Sequence, residues 1–170
     1  SENYTEAYKT IKQIHISIIK ELIPKQNDTI IAHVETLLQD LKNLLDGIYL
    51  INEISPKTSD KLLSFGELLS SYIISETLKS RTIDSKLKNS QELIITNSNF
   101  TQAEINYSST NANIRDYFKV VNQQITILPG FISKSNSGEQ TALGRGGSDF
   151  TAAVISAALK VEQLEIWTDV

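Results

Sequence analysis

The segment GRGGSD at Gly144–Asp149 contains the residue types that point most directly to chemistry in this sequence. Glycines let the backbone approach a ligand closely and adopt positive φ. If a helix begins near Ser148, its free N–H groups favour an anion, and Arg145 adds a planar fork suited to a carboxylate or phosphate. The segment lacks the Walker lysine, and Asp149 replaces the third glycine of the dinucleotide fingerprint. It predicts an anion site, for phosphate or a substrate carboxylate; the alternative is a glycine-rich connector before a capped helix.

A carboxylate in the segment SFGELLS at 64–70 is the second candidate. Gly66 interrupts a helical pattern, where glycine costs roughly 1 kcal/mol relative to alanine, so we expect another group to pack close to its backbone. Glu67 beside it could face an amine or a metal. The alternative is a solvated glutamate on a helix surface.

A Thr-Asp pair, Thr168 and Asp169, follows a predicted strand at Leu164–Trp167. Ligands of open parallel sheets bind at the carboxyl ends of strands, so this pair could contact a nucleotide or its metal. An ordinary strand end is the alternative. His15 and His33 lie in separate helical segments and are interpreted as structural, and no metal-ligand set is predicted.

The elements that position these residues differ between the two halves of the chain. Residues 1–82 are predicted to be largely helical, because apolar residues recur every three or four positions. Pro24 ends the first helix, Asp28 or Thr29 could cap the second, and Ser55-Pro56 starts the third. The apolar positions are Ile11, Ile14, Ile18 and Leu22, then Ile30, Val34, Leu37, Leu41, Leu44 and Ile48, then Leu62, Leu69 and Ile73.

Residues 83–170 are predicted to alternate strands and helices. This order predicts an α/β fold, with a mainly parallel sheet flanked by helices. The predicted strands are Leu93–Thr96, Ala103–Asn106, part of Ile125–Ile132 and Leu164–Trp167, and the predicted helices span 108–120 and 152–160.

The composition excludes several classes of protein. The net charge of −4 argues against nucleic acid or an anionic membrane as partner. The sequence has no cysteine, hence no disulfide or thiolate chemistry, and no apolar run long enough for a bilayer. It also has no methionine, so we expect these 170 residues to be one domain, or part of one, within a longer protein. A cytoplasmic location is expected.

Five segments together resemble the aspartate kinases of the amino-acid kinase fold. Their order and spacing match that family, and the helical opening is most similar to bifunctional aspartokinase–homoserine dehydrogenases. The matching segments are SFGELLS at 64–70, NANIRDYF at 111–118, GFI at 130–132, TALGRGGSDFTAAVISAAL at 141–159 and LEIWTDV at 164–170.

The resemblance implies a three-layer α/β sandwich and transfer of the ATP γ-phosphate to the side chain of L-aspartate. Residues 1–170 would form one partial catalytic domain, with substrate binding in residues 83–170, and the protein would be a homo-oligomer. Arg145 would clamp an aspartate carboxylate and Glu67 would face the ammonium group. The other implied residues are Phe131, Gly146, Ser148 and Asp149 around aspartate, with Asp149 catalytic, and Thr168 and Asp169 at ATP, whose phosphates Mg²⁺ would bridge.

The departures from the family pattern suggest that this chain is inactive alone. Members open with a strand carrying Lys-Phe-Gly-Gly-Thr-Ser, and no such motif occurs in these 170 residues. Ser133, Phe150 and Gln91 are smaller departures. Two alternatives remain open: a kinase for another amino acid, carbamate or a nucleotide monophosphate, and a non-catalytic oligomerisation or interaction module.

Overall fold

The computed structural model describes residues 3–167. A helical first half is followed by short strands and two further helices. In chain order the elements are α1 (Asn3–Leu22), α2 (Asp28–Ile51), α3 (Pro56–Ser80), β1 (Ser85–Leu87), a 3₁₀ turn (Ser90–Glu92), β2 (Ile95–Thr96), α4 (Tyr107–Val120), β3 (Ile125–Ile127), β4 (Ile132–Ser135), β5 (Gln140–Ala142) and α5 (Gly147–Leu159).

The first three helices bury one common apolar core, as their periodicity predicted. The Ser55 Oγ accepts a hydrogen bond from the Thr58 N–H (3.1 Å), and Pro56 occupies the first turn of α3. The expected cap of α2 was wrong: Asn27 precedes the helix, while Asp28 and Thr29 lie inside it. The buried core residues are Ile19, Ile23, Ile30, Val34, Leu38, Leu41, Phe65, Leu69 and Ile73.

The strands form two small sheets that are mainly parallel. Strand β1 pairs with β3 in parallel, β2 pairs with β4 in parallel, and β4 pairs with β5 antiparallel. Helix α3 packs against β1, β3 and β5, whereas α4 packs against α5 and β2. A second core lies among Leu93, Ile94, Ile114, Val154 and Ala158. The prediction of an α/β fold with helices flanking a mainly parallel sheet is confirmed.

Several predicted strands are shorter than expected or absent from the described part of the chain. Leu93–Thr96 contains only β2, because a 3₁₀ turn leads into it. Ala103–Asn106 forms one isolated bridge, Ile105 to Thr96, and no strand. Leu164–Trp167 is irregular, with Trp167 89% exposed, since no described strand pairs with it.

Two further sequence expectations are corrected at the helices and at β1. The last helix begins at Gly147 rather than Ala152. Strand β1 was missed, because Ser85–Leu87 carries little apolar signal. Among residues 3–167, no helix combines the length and the apolarity that crossing a bilayer requires.

Candidate active site

The chain turns sharply between β3 and β4, at Gly130 and Phe131. Phe131 adopts a left-handed conformation (φ 67°), which is rare for an aromatic residue and is found where surrounding contacts enforce it. Its N–H donates to the Thr151 Oγ1 (3.0 Å), and its carbonyl accepts from the Leu143 N–H (3.0 Å). The Thr151 hydroxyl in turn donates to the Gly147 carbonyl (2.7 Å). Hydrogen bonds therefore fix this turn against the first turn of α5.

The glycine-rich segment forms a loop that leads directly into α5. Gly144 (φ 78°) and Gly146 (φ 75°) are left-handed, a conformation that glycine adopts without steric cost. Gly146 precedes the helix and provides no side-chain cap. Among the hydrogen bonds within residues 3–167, none uses the N–H of Ser148 or Asp149, so both are available to an anion.

Two other glycines let the strand end and the helix start approach each other. A Cβ added at Gly130 would lie 2.9 Å from the Cα and Cβ of Ser148. A Cβ at Gly147 would lie 2.9 Å from Cδ2 of Phe131. Side chains at either position would push α5 away from the turn, so the close packing of this site requires glycine.

Glu67 on α3 faces the same turn. Burial raises the pKa of this half-buried carboxyl, and a hydrogen bond from the Gly130 N–H partly opposes the rise. A carboxylate held in this way can accept a further cationic or N–H donor. Glu67 is thus partly buried in the cavity wall, and its role in facing a ligand stays a prediction.

The environment of Gly66 differs from the expectation. No atom lies within 4 Å of a Cβ built at Gly66, so close packing does not explain this glycine. Gly66 instead lines two cavities, one beside Glu67 and one apolar cavity between α1, α2 and α3. A missing side chain here leaves open space.

All six residues predicted around the substrate line one cavity of about 560 Å³. The cavity lies between α3, the turn at Phe131 and the start of α5. A second cavity of about 540 Å³ adjoins it and shares Glu67 and Ser148. The six residues are Glu67, Phe131, Arg145, Gly146, Ser148 and Asp149.

The charges around this cavity suit a zwitterionic ligand. Arg145 and Asp149 are exposed at its rim, and neither forms an ion pair within the described part of the chain. Arg145 offers a cation for a carboxylate, while Glu67 on the opposite element offers an anion for an ammonium group. The arrangement can therefore bind a small molecule that carries both charges.

Asp60 also lines the cavity and was missed by the sequence analysis. Its side chain is fully buried (0% exposed), and burial raises its pKa while backbone N–H groups of Thr101 and Ala142 lower it. The one signal in the sequence was its spacing: Asp60 precedes Glu67 by about two helical turns, on the same face of α3.

The remaining sequence candidates are two terminal residues and two histidines. Thr168 and Asp169 lie outside the described residues. The His15 Nδ1 lies 2.7 Å from the Ile11 carbonyl oxygen, and the His33 ring is tilted against that of Tyr72, with 4.2 Å between the ring centroids. Residues 3–167 contain no cluster of three or more His, Cys, Asp or Glu side chains that could hold a metal ion.

The profile of the amino acid kinase family matches residues 4–170, nearly the whole sequence. The chain belongs to the amino acid kinase family. Among curated proteins it is 32% identical to the lysine-sensitive aspartokinase 3 of Escherichia coli over 166 residues, and 26% identical to a bifunctional aspartokinase/homoserine dehydrogenase of Arabidopsis thaliana over 171 residues. These matches cover 97% and 99% of the chain but only 36% and 19% of those relatives.

A solved structure agrees with this assignment to the amino acid kinase family. The crystal structure of E. coli aspartokinase III in complex with aspartate and ADP superposes with a TM-score of 0.90 at 30% identity. The match covers 98% of this chain and 37% of that one. The resemblance to aspartokinases is thus confirmed, and the chain spans about a third of the length of aspartokinase III.

Proposed function

We propose that this chain is the substrate-binding part of an aspartokinase. The observation that carries the proposal is the single cavity that brings Glu67 on α3 together with Arg145 and Asp149 at the start of α5. L-Aspartate carries two carboxylates and one ammonium group, which complement an arginine, free helix N–H groups and a glutamate. The E. coli structure that matches the fold was solved with aspartate and ADP.

In the proposed reaction a side-chain carboxylate oxygen of L-aspartate attacks the γ-phosphorus of ATP. A new O–P bond forms while the bond from the γ-phosphorus to the β,γ-bridging oxygen breaks, and that oxygen leaves with the electron pair on ADP. The product is 4-phospho-L-aspartate, which would open the biosynthesis of lysine, threonine and methionine. Because both reactants are anions, catalysis depends on positioning and on neutralisation of charge.

The residues of the cavity would divide these tasks. Arg145 would clamp a carboxylate of aspartate, and Glu67 would hold the ammonium group. Asp149, at the first turn of α5, is proposed as the catalytic residue, with Phe131, Gly146 and Ser148 completing the aspartate pocket. These contacts would orient the side-chain carboxylate toward the phosphoryl group.

The nucleotide and its metal would involve further residues. Thr168 and Asp169 are proposed to contact ATP. In enzymes of this kind Mg²⁺ is usually coordinated by several waters, by phosphate oxygens of the substrate and by only one or two protein carboxylates. The metal would neutralise phosphate charge, and no described side chain is assigned to it.

Partners and compartment complete the proposal. We propose a homo-oligomer that acts in the cytoplasm, with neither nucleic acid nor membrane as partner. Large apolar side chains stand exposed at the end of α2, with Leu50 82% and Ile51 71% exposed, and such patches mark contact surfaces. Light scattering on the full-length protein would measure its oligomeric state.

The test is an assay of aspartyl phosphate formation by the full-length protein with ATP and L-aspartate. Arg145→Ala should raise the Michaelis constant for aspartate about tenfold or more, because a hydrogen bond to a charged group contributes ~1.5–3 kcal/mol. The constant for ATP should stay nearly unchanged. Arg145→Lys should restore only part of the affinity, since lysine lacks the planar fork.

Three results would contradict this proposal. Activity on another carboxylate or on a nucleotide monophosphate, without activity on aspartate, would favour a different kinase of the same family. No activity in the full-length protein would favour an interaction module. An unchanged Michaelis constant for aspartate in Arg145→Ala would remove Arg145 from the aspartate site.

A further inference from the structure

Asp60 is an unusual residue for the interior of α3. It is the one charged residue among those buried in the described part of the chain, and it forms no ion pair there. An isolated buried carboxylate is costly unless hydrogen-bond donors satisfy it. The groups that donate hydrogen bonds to the Asp60 carboxylate therefore indicate its role.

The partners of the Asp60 carboxylate are two backbone N–H groups from distant parts of the sequence. The Thr101 N–H lies 2.9 Å from both carboxylate oxygens, and the Ala142 N–H donates to Oδ2 at 3.0 Å. These partners are 41 and 82 residues away along the chain. One carboxylate thus joins α3 to a loop and to the end of β5.

Both tethered segments adjoin the glycine-rich loop. Ala142 ends β5, two residues before Gly144. The Thr101 carbonyl oxygen would lie 2.9 Å from a Cβ added at Gly144, so residue 101 packs directly against that glycine. Thr101 itself is held in a left-handed conformation (φ 72°), which indicates that its surroundings fix it there.

The other end of the tether is the helix that carries Glu67. Asp60 and Glu67 lie about two turns apart on the same face of α3, and both line the cavity. The distance between Glu67 and Arg145 therefore depends on how α3 is held to residues 101 and 142. Other polar contacts across this junction are the Lys57–Glu139 ion pair (2.5 Å) and the hydrogen bond from the Gln140 side chain to the Asp60 carbonyl (3.5 Å), and neither reaches residue 101 or 142.

We infer that Asp60 is a positioning residue: its buried carboxylate sets the spacing between Glu67 on α3 and the Gly144–Asp149 loop, and so controls affinity for the amino-acid substrate. It touches no reacting atom in this role. The inference rests on the proposed function, since it names aspartate as the ligand of the cavity.

The test compares Asp60→Asn and Asp60→Ala in the full-length protein by calorimetric titration with L-aspartate and, separately, with ATP. Asparagine keeps one acceptor but turns an NH₂ group toward a backbone donor, while alanine loses both tethers. The dissociation constant for aspartate should rise at least about tenfold in Asp60→Asn and further in Asp60→Ala. The constant for ATP should stay within about twofold, a split that a loss of folding would not produce.

Thr77→Val is the matched control. Thr77 is a buried polar residue of the same helix, and its hydroxyl bonds only within that helix, to the Ile73 carbonyl (2.8 Å). It lies about 25 Å along the helix from Asp60. This variant should lower the melting temperature while aspartate affinity remains that of the wild type.

The outcomes separate the inference from the proposed function. Wild-type aspartate affinity in Asp60→Asn would overturn the positioning role, whereas no aspartate binding by the wild-type protein would overturn the proposed function and this role with it. If the variants do not fold, hydrogen exchange on the wild type decides. Saturating aspartate should slow exchange at Thr101 and Ala142 at least about tenfold but leave Ile31 unchanged, and equal exchange with and without aspartate would overturn the inference.

Discussion

Among single residues, Glu67 shows how folding changes a carboxyl group: folding favours its protonated form over its carboxylate. Because burial raises the pKa of Glu67, the folded chain binds that proton more tightly than the unfolded chain. The free energy of unfolding therefore decreases as pH rises from the ordinary glutamate pKa through the raised one. A bound ammonium group reverses this preference, because it favours the carboxylate.

Glu67→Gln should therefore separate stability from binding. At neutral pH the variant should be at least as stable as the wild type, because it removes a carboxylate whose ionisation opposes folding. Its affinity for aspartate should fall about 30-fold or more, since an ammonium group loses its counter-ion. Thermal unfolding and calorimetric titration across pH would measure both quantities.

The pH dependence provides the contradicting outcome for Glu67. Aspartate affinity of the wild type should weaken on acidification below the raised pKa of Glu67, and this part of the pH dependence should disappear in Glu67→Gln. A variant that is less stable at neutral pH and binds aspartate normally would show that Glu67 has only a structural role.

Residue types, local spacing and the family resemblance predicted six residues that the fold brings together around one cavity. Glycines before a helix start, with Arg145 among them, predicted an anion site, and both this role and that of Glu67 stay predictions. Asp60 and Thr151 were not predictable in the same way. Their partners are backbone N–H groups and carbonyls, which have the same chemistry at every position and leave no signal in the sequence.

At the scale of elements, α3 is the wall between two cavities of different character. One side faces the polar cavity, and the other faces an apolar cavity of about 370 Å³ between the first three helices. Leu63 and Gly66 line both. The absence of a side chain at Gly66 therefore leaves space in the cavity beside Glu67, within a helix that alanine would stabilise.

Gly66→Ala should accordingly stabilise the fold and weaken binding. Alanine in a helix interior gains up to ~1 kcal/mol over glycine, and nothing within 4 Å would clash with its Cβ. The same methyl group would narrow the cavity beside Glu67, so we expect aspartate affinity to fall about tenfold. Chemical denaturation and calorimetric titration would measure the two effects.

Gly47→Ala is the matched control for that variant. Gly47 lies inside α2, where a Cβ also meets nothing within 4 Å, and it lines none of the cavities described above. It should show the same gain in stability with unchanged affinity. Equal affinity in both variants would mean that Gly66 does not keep space for a ligand.

The helices were predictable, except for the start of α5, whereas the strands were not. Helices α1 to α4 follow from periodic apolar residues and local start signals such as Ser55-Pro56, which depend on neighbours in sequence. A strand such as β1 exists because β3 pairs with it 40 residues later, and Ala103–Asn106 fails to become one because only a single bridge reaches it. Strand pairing depends on segments that are distant in sequence, so short strands cannot be predicted from local sequence patterns.

Across the whole molecule, positive charge is scarce around the two adjoining cavities. Among the residues that line them, the one cation is Arg145. Neutralising charge is the main task in phosphoryl transfer between two anions. Under the proposed function, these cavities would hold aspartate but would offer no second cation to the transferred phosphoryl group.

We therefore expect the isolated 170-residue chain to bind L-aspartate weakly and to form no detectable aspartyl phosphate with ATP. Trapping with hydroxylamine, which converts an acyl phosphate to a coloured hydroxamate, would measure the product. The full-length protein serves as the positive control under the same conditions. Robust product formation by the isolated chain would contradict this expectation and the role given to the missing lysine motif.

The Asp60 tether also has a consequence for the order in which the chain acquires its structure. Helices α1 to α3 make contacts that are close in sequence, and such contacts form fast. During synthesis they can pack before the rest of the chain has left the ribosome. The Asp60 carboxylate would stay solvated until its two partners follow, Thr101 after 41 residues and Ala142 after 82. We therefore expect the helical bundle to form first, and the cavity beside α3 to take shape only when that carboxylate is enclosed.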